Sequence, residues 1–237
     1  MKIRIKFTKT GVVKYVGHLD MMRYFQKLIR RANIDICYSE GFNPHQKMSF
    51  AAPLGVGVSG EGEYVDIEVN TTDSSEESVR RLNEASVEGI EIKSYRRLPE
   101  GVLNGMASVA AATYRVRYRE GYEPDFSLED KFMEFMNQET IEIEKETKKS
   151  TAVVDIKSMI YDVSFQNGVV LKLAAGSVTN LKPELVFTAF YQYLEKELPE
   201  FALEITRLEV YGNSGTEENP KFIPLEDFGE DIPKQGE

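Results

Sequence analysis

His18 and His45 are the only histidines in the 237-residue chain, and each sits in a stretch whose composition suits a site. His18 belongs to Gly17-His-Leu-Asp20. His45 belongs to Gly41-Phe-Asn-Pro-His-Gln-Lys47, which runs on through Pro53-Leu-Gly55 to Gly62. Gly and Pro are costly inside helices and strands, so this density of both marks backbone that must bend or approach something closely. Imidazole and carboxylate together ligate zinc, iron or manganese, which makes His18, Asp20 and His45 candidate ligands around an open position. Asp20 can equally cap a helix start, and His45 can simply order its loop. His45 can also act as a general acid/base, alone or with His18, while Lys47 and nearby cations hold a phosphate; that is the arrangement of metal-independent RNA cleavage. Gly55–Gly60 matches G-x-G-x-x-G, but Glu61-Gly-Glu63 leads from it into a strand, where a dinucleotide site needs a helix. A Gly-rich hairpin offering N–H groups to an anion fits the pattern better.

The cations point the same way. Residues 1–50 carry ten Lys/Arg against three acids, a balance of +7 in a chain of net charge −10, which leaves −17 on the remainder. A basic region on an acidic body suits a localised anionic partner such as RNA. Arg23, Lys27, Arg30 and Arg31 recur at i, i+4, i+7 and i+8 and make one stripe of a helix. Aromatics interleave with the cations, as in stacking platforms for bases. Phe42 and Tyr15 are the exposed candidates, while Tyr24 and Phe50 have core spacing. The expected RNA surface is therefore Arg23, Lys27, Arg30, Arg31, Phe42, Asn43, His45 and Lys47. The competing reading is a solvated face, with Arg30 and Arg31 pairing with acids of the second half. Lys148, Lys149 and Asp155 read as a solvated turn whose two lysines extend an anion-binding face.

These residues need positioning elements. Lys2–Thr8 alternates, with Ile3, Ile5 and Phe7 facing one way and Lys2, Arg4 and Lys6 the other, which predicts a half-buried strand. His18–Ala32 has a helical period, with Leu19, Met22, Phe25, Ile29 and Ala32 as its apolar face. Short strands around Ile36–Tyr38 and Met48–Ala52 flank the His45 loop. A strand over Glu63–Val69, a helix over Ser74–Ser86 capped by Asp73 or Ser74, and a strand over Ile90–Leu98 follow. The order is β-α-β-β-α-β. After a connection with a short helical piece at Leu103–Val109, the order recurs: strand Thr113–Arg119, helix Leu128–Asn137, strand Ile141–Glu146, a hairpin turning at Asn167–Gly168, helix Pro183–Glu197 and strand Leu203–Tyr211. The expected fold class is α+β, two tandem ferredoxin-like (βαββαβ) units with antiparallel sheets at 1–100 and 110–212. Residues 213–237, with seven acids from Gly212 onward, read as an acidic Pro-containing tail whose apolar Phe222, Ile223, Leu225 and Phe228 either pack back or dock a partner.

Apolar content of 41% and charged content of 29% suit a globular protein, and no apolar run approaches the ~20 residues of a membrane span. The N-terminus lacks a signal-peptide core, so a cytoplasmic protein without membrane contact is expected. Cys37, the single cysteine, excludes an intramolecular disulfide, a Cys-rich zinc site and a self-contained multi-cysteine iron–sulfur cluster.

The stretch GHLDMMRYFQKLIRRA, followed by GFNPHQK, a PLG turn and a Glu63-Tyr64 strand, resembles the opening of the radical-SAM-linked proteins of unknown function. His18, Leu19, Asp20, Arg30–Ala32, Gly41–His45, Lys47, Pro53–Gly55, Glu63 and Tyr64 match; Gln46 stands where the pattern has proline. The match covers roughly the first seventy residues. The resemblance implies an accessory or substrate-binding subunit of a radical SAM enzyme, with RNA metabolism as the setting. The partner would carry the iron–sulfur cluster and S-adenosylmethionine, since one cysteine cannot hold that cluster. A stand-alone RNA endonuclease or metal-dependent hydrolase using His45 and His18, and an interaction module docking through the acidic tail, are the alternatives.

Overall fold

Lys2–Lys9 forms β1 in the computed structural model, which describes residues 1–146 and 151–234. Ile3, Ile5 and Phe7 are buried, as the alternation predicts, but on the opposite face only Lys2 is exposed. Arg4 is 0% exposed, bound bidentately by Asp66 at 2.8 and 2.9 Å. The half-buried expectation fails because a strand's polar register can be covered wherever a carboxylate is supplied opposite it.

α1 (His18–Arg31) follows. Its buried residues are Met21, Phe25, Leu28 and Ile29, with Ala32 just beyond. Leu19 is 68% exposed, so the apolar stripe is rotated from the expected Leu19–Met22 side. The spacing 21, 25, 28, 32 is the true i, i+4, i+7, i+11 seam. β2 (Met48–Phe50), β3 (Ser59–Glu68), α2 (Ser75–Glu84), β4 (Ile92–Arg97) and the single turn α3 (Gly105–Ser108) complete the first run. Ser74 caps α2, accepting from the Glu77 N–H. Ile36 and Tyr38 make only isolated bridges, to Val69 and Gln46, instead of a strand. β1 pairs antiparallel with β3 and β4, and β2 pairs antiparallel with β3, giving the order β4-β1-β3-β2. Phe25, Leu28 and Ile29 of α1 and Leu82 of α2 share one core with Ile3, Ile5, Phe7, Val65, Ile67 and Tyr95, so both helices cover the same sheet face.

The chain divides into two units, residues 1–110 with 207–237, and residues 111–206. The second holds β5 (Val109–Tyr118) from Ala111 onward, α4 (Leu128–Met136), the hairpin β6 (Glu142–Glu146) and β7 (Thr151–Asp155), β8 (Ile160–Phe165), β9 (Val169–Ala174), α5 (Pro183–Tyr193) and the start of β10 (Leu203–Asn213), whose Arg207–Asn213 belong to the first. Its strand order is β10-β5-β9-β8. Asn167 and Gly168 both have positive φ (54° and 120°) in the three-residue connection 166–168 between β8 and β9. Phe132 and Phe135 of α4 stack against Phe190 of α5 at 4.8 and 5.5 Å. β7, which no sequence pattern marked, pairs with β6 in a separate two-stranded sheet. Lys148 and Lys149 lie outside the described residues. Asp155 is exposed at the end of β7, and its Oδ1 accepts the N–H groups of Ile141 and Lys157.

The expected acidic tail is part of the first unit. β11 (Phe222–Pro224) pairs with β10, and β12 (Glu230–Asp231) pairs with β4. Between them a 3-10 turn at Leu225–Phe228 buries Leu225 completely. The acids have basic partners waiting. Glu226 meets Lys6 at 2.6 Å, Asp227 meets Arg96 at 3.0 Å and Glu230 meets Arg97 at 3.2 Å. Among the described residues no helix is long and apolar enough to cross a membrane.

Candidate functional site

Gly17 precedes α1 in an extended conformation, and the Met21 N–H bonds to its carbonyl. Arg23, Lys27, Arg30 and Arg31 are all exposed on the helix. They are not equivalent. Arg23 pairs with Asp20 at 3.0 Å, both of them solvated. Arg31 donates to the Ala85 carbonyl at the end of α2 and lies over the Tyr24 ring, so it holds two helices of its own unit together and does not pair with acids of the second half. Lys27 and Arg30 have no ion pair among the described residues.

The His45 loop is a closed structure. The Ser39 N–H bonds the His45 carbonyl, and Ser39 Oγ accepts the His45 N–H at 3.0 Å while lying 2.8 Å from Nδ1. Gln46, at the position where proline is expected, is buried and donates to the Gln26 carbonyl of α1 at 3.3 Å. Arg30 Nε donates to that same carbonyl at 3.2 Å. One oxygen therefore ties the loop to the helix. Phe42 stands fully exposed at the loop tip, beside exposed Asn43 and His45. Lys47 is held by Glu68 at 3.0 Å, which raises its pKa. Tyr15 is also exposed, with the Lys14 ammonium over its ring; Tyr24 is half-buried and Phe50 buried.

The metal expectation is not met. Among the described residues no three His, Cys, Asp or Glu side chains form a group able to hold a metal ion. Asp20 is taken by Arg23, His45 by Ser39, and the His18 ring packs edge-on against Phe50 at 5.4 Å. His18 and His45 share no hydrogen-bond or ring partner among the described residues. The glycine stretch behaves as a hairpin: Gly57 has φ 87°, its N–H bonds the Lys14 carbonyl, and β3 begins at Ser59 with no helix following.

His18 instead lines a small cavity with Phe7, Lys9, Met21, Phe50, Pro53, Leu54 and Glu63. Three of the distinctive segments, Gly17–Asp20, Pro53–Gly55 and Glu63–Tyr64, thus meet at one place. Glu63 is buried and bound by Arg207, Nε to Oε1 at 2.8 Å and Nη2 to Oε2; Nη2 also donates to the Ala52 carbonyl. Lys9 is 3% exposed, and its ammonium has no hydrogen bond or ion pair among the described residues. Burial lowers its pKa, and the Arg207 charge adds to that while Glu63 opposes it. Sequence reasoning named Glu63 only within the family resemblance and gave no role to Lys9 or Arg207. A signal existed for the first: Lys9 continues the Ile3, Ile5, Phe7 register, so period two places it on the core face.

Residues 2–183 match the model of a family described as an uncharacterized protein conserved in bacteria (DUF2344). No curated protein matches the chain.

Proposed function

Because the chain belongs to the DUF2344 family, for which no activity is described, we propose its role from the site: a non-catalytic, substrate-binding subunit that holds RNA for a separate radical SAM enzyme in the cytoplasm. The partner supplies the iron–sulfur cluster and S-adenosylmethionine; this chain supplies position and charge. The observation that carries the reading is the Gln26 carbonyl shared by Gln46 and Arg30, which fixes the exposed Phe42 loop beside the exposed cations of α1. Phe42 offers a stacking face and Arg23, Lys27 and Arg30 track phosphates. We read both units as ferredoxin-like; the pairings β4-β1-β3 with β2 on β3, and β10-β5-β9-β8, support that reading. The stand-alone hydrolase has less support, with His18 and His45 in different surroundings, and docking through a free acidic tail has less, with that segment paired into the first unit.

Filter binding of the full chain to a fluorescent single-stranded RNA of mixed sequence tests this. Affinity falls steeply with salt, and R23A/K27A/R30A reduces the log–log salt slope by about 0.7 for each phosphate that is no longer neutralised. Phe42→Ala lowers affinity by about 1–3 kcal/mol with the slope unchanged, as loss of one stacked base does. Salt-independent binding, or no binding by the wild type, sinks the proposal.

A further inference from the structure

We propose that Lys9 is an amine nucleophile that captures a small carbonyl compound as an imine in the cavity it shares with His18, Phe50, Leu54 and Glu63. This goes beyond the RNA reading and does not depend on it. Three observations carry it.

First, Lys9 sits at the end of an apolar register, 3% exposed, among Phe7, Met21, Phe50, Pro53 and Leu54. Its charged form has lost its water. Second, Glu63, the one carboxylate lining the cavity, is already engaged by both nitrogens of the Arg207 guanidinium that face it. Lys9 therefore meets an occupied carboxylate and a neighbouring cation. Burial and the second positive charge are the two standard ways of keeping a lysine amine neutral and reactive; Glu63 offsets them only in part, and the direction of the Lys9 pKa, downward, agrees. His18, exposed, is the remaining titratable group lining the cavity. Third, the cavity holds about 20 Å³, which is room for one water-sized group. The reacting end of the ligand must then be as small as an aldehyde, with any larger body outside beyond His18.

The step balances without an oxidant or reductant. The Nζ lone pair adds to the carbonyl carbon, and the carbonyl oxygen takes up the proton that nitrogen releases, giving a carbinolamine. Loss of one water then forms the C=N bond.

Formaldehyde is small enough to serve as the probe. The full-length chain is treated near pH 7 with limiting formaldehyde and cyanoborohydride, which reduces an imine to an N-methyl amine, and methylation of each lysine is followed by peptide mass spectrometry. The expected result is that Lys9 reacts faster than exposed Lys2 and Lys27, since a lowered pKa leaves more of its amine neutral. In guanidinium the advantage disappears. Lys9→Met, with its fold checked by circular dichroism, loses the fast site and keeps the slow ones. Lys9 reacting no faster than Lys27 in the folded chain, or an advantage that survives unfolding, overturns the proposal.

Discussion

Asp66→Asn tests the least expected feature of the fold, the charge buried on the polar register of β1. Arg4 is fully enclosed, and its guanidinium is completely committed: Nε and Nη2 to Asp66, Nη1 to the Leu225 carbonyl at 3.0 Å, and Nη2 again to the Leu103 carbonyl at 3.2 Å. Asp66 Oδ2 also accepts the Gly105 N–H at 2.6 Å. The carboxamide keeps the shape but leaves the Arg4 charge without its counterion and turns one acceptor into a donor facing donors. Breaking a buried pair from one side costs about 3–5 kcal/mol, a fifth or more of the ~5–15 kcal/mol that holds a typical domain together. Urea unfolding measures this as a lower midpoint at unchanged m-value. Arg4→Met with Asp66→Leu removes both charges together and recovers most of the loss, since a well-packed apolar pair can replace a buried ion pair. The two backbone carbonyls and the Gly105 N–H are the part not recovered. Because two of the four segments involved, 103–105 and 225, come from outside the β-α-β-β-α-β run, limited proteolysis of Asp66→Asn should cut first near these. A loss under about 1 kcal/mol, or a double variant no better than the single, would refute the claim that this pair is desolvated.

Three further outcomes follow from the same charges. Lys9→Met stabilises the fold near neutral pH, because it removes an ammonium buried beside Arg207. The folded pKa of Lys9 lies below its ordinary 10.5, so in the window between the two the unfolded chain binds more protons and wild-type stability rises with pH; the advantage of Lys9→Met over wild type must shrink as pH approaches 10.5, as paired urea titrations will report. Glu226 behaves oppositely. Burial alone would raise its pKa, but Lys6, Ser94 and Arg96 outweigh this and hold it below 4.5, so its contribution is present above that value and is lost as pH falls below it; Glu226→Gln costs about 1–2 kcal/mol at pH 7 and flattens the acid limb of stability against pH. Gly168→Ala loses more stability than Gly101→Ala in thermal melts: both glycines have positive φ, but a Cβ at 168 meets the Val116 carbonyl at 2.5 Å, whereas 101 has open space.

What could be read in the sequence was what is local. The β8–β9 turn was visible because Asn-Gly is the residue pair that tolerates two successive positive φ angles. α2 was visible because Ser74 and the acids after it form a start signal that needs no tertiary partner. α1 was visible as a helix but not in its rotation. Leu19 and Met22 are as apolar as Met21 and Leu28, and only the sheet decides which stripe it covers. The C-terminal segment failed for the same reason at longer range. Its acids look like a solvated tail until Lys6, Arg96 and Arg97, more than 120 residues earlier, are placed opposite them. The site divides along this line too. His18, His45 and Phe42 announced themselves by type and by the loop around them. Arg207 did not, because an arginine in a strand near the C-terminus carries no local mark of a carboxylate at position 63. Lys9 lies between the two cases. Its parity on β1 was legible, but parity alone says only that the lysine is buried. Whether a buried lysine is paired or left without a counterion depends on who else claims the nearest carboxylate, and that is a fact of three dimensions: Glu63 faces Arg207 first.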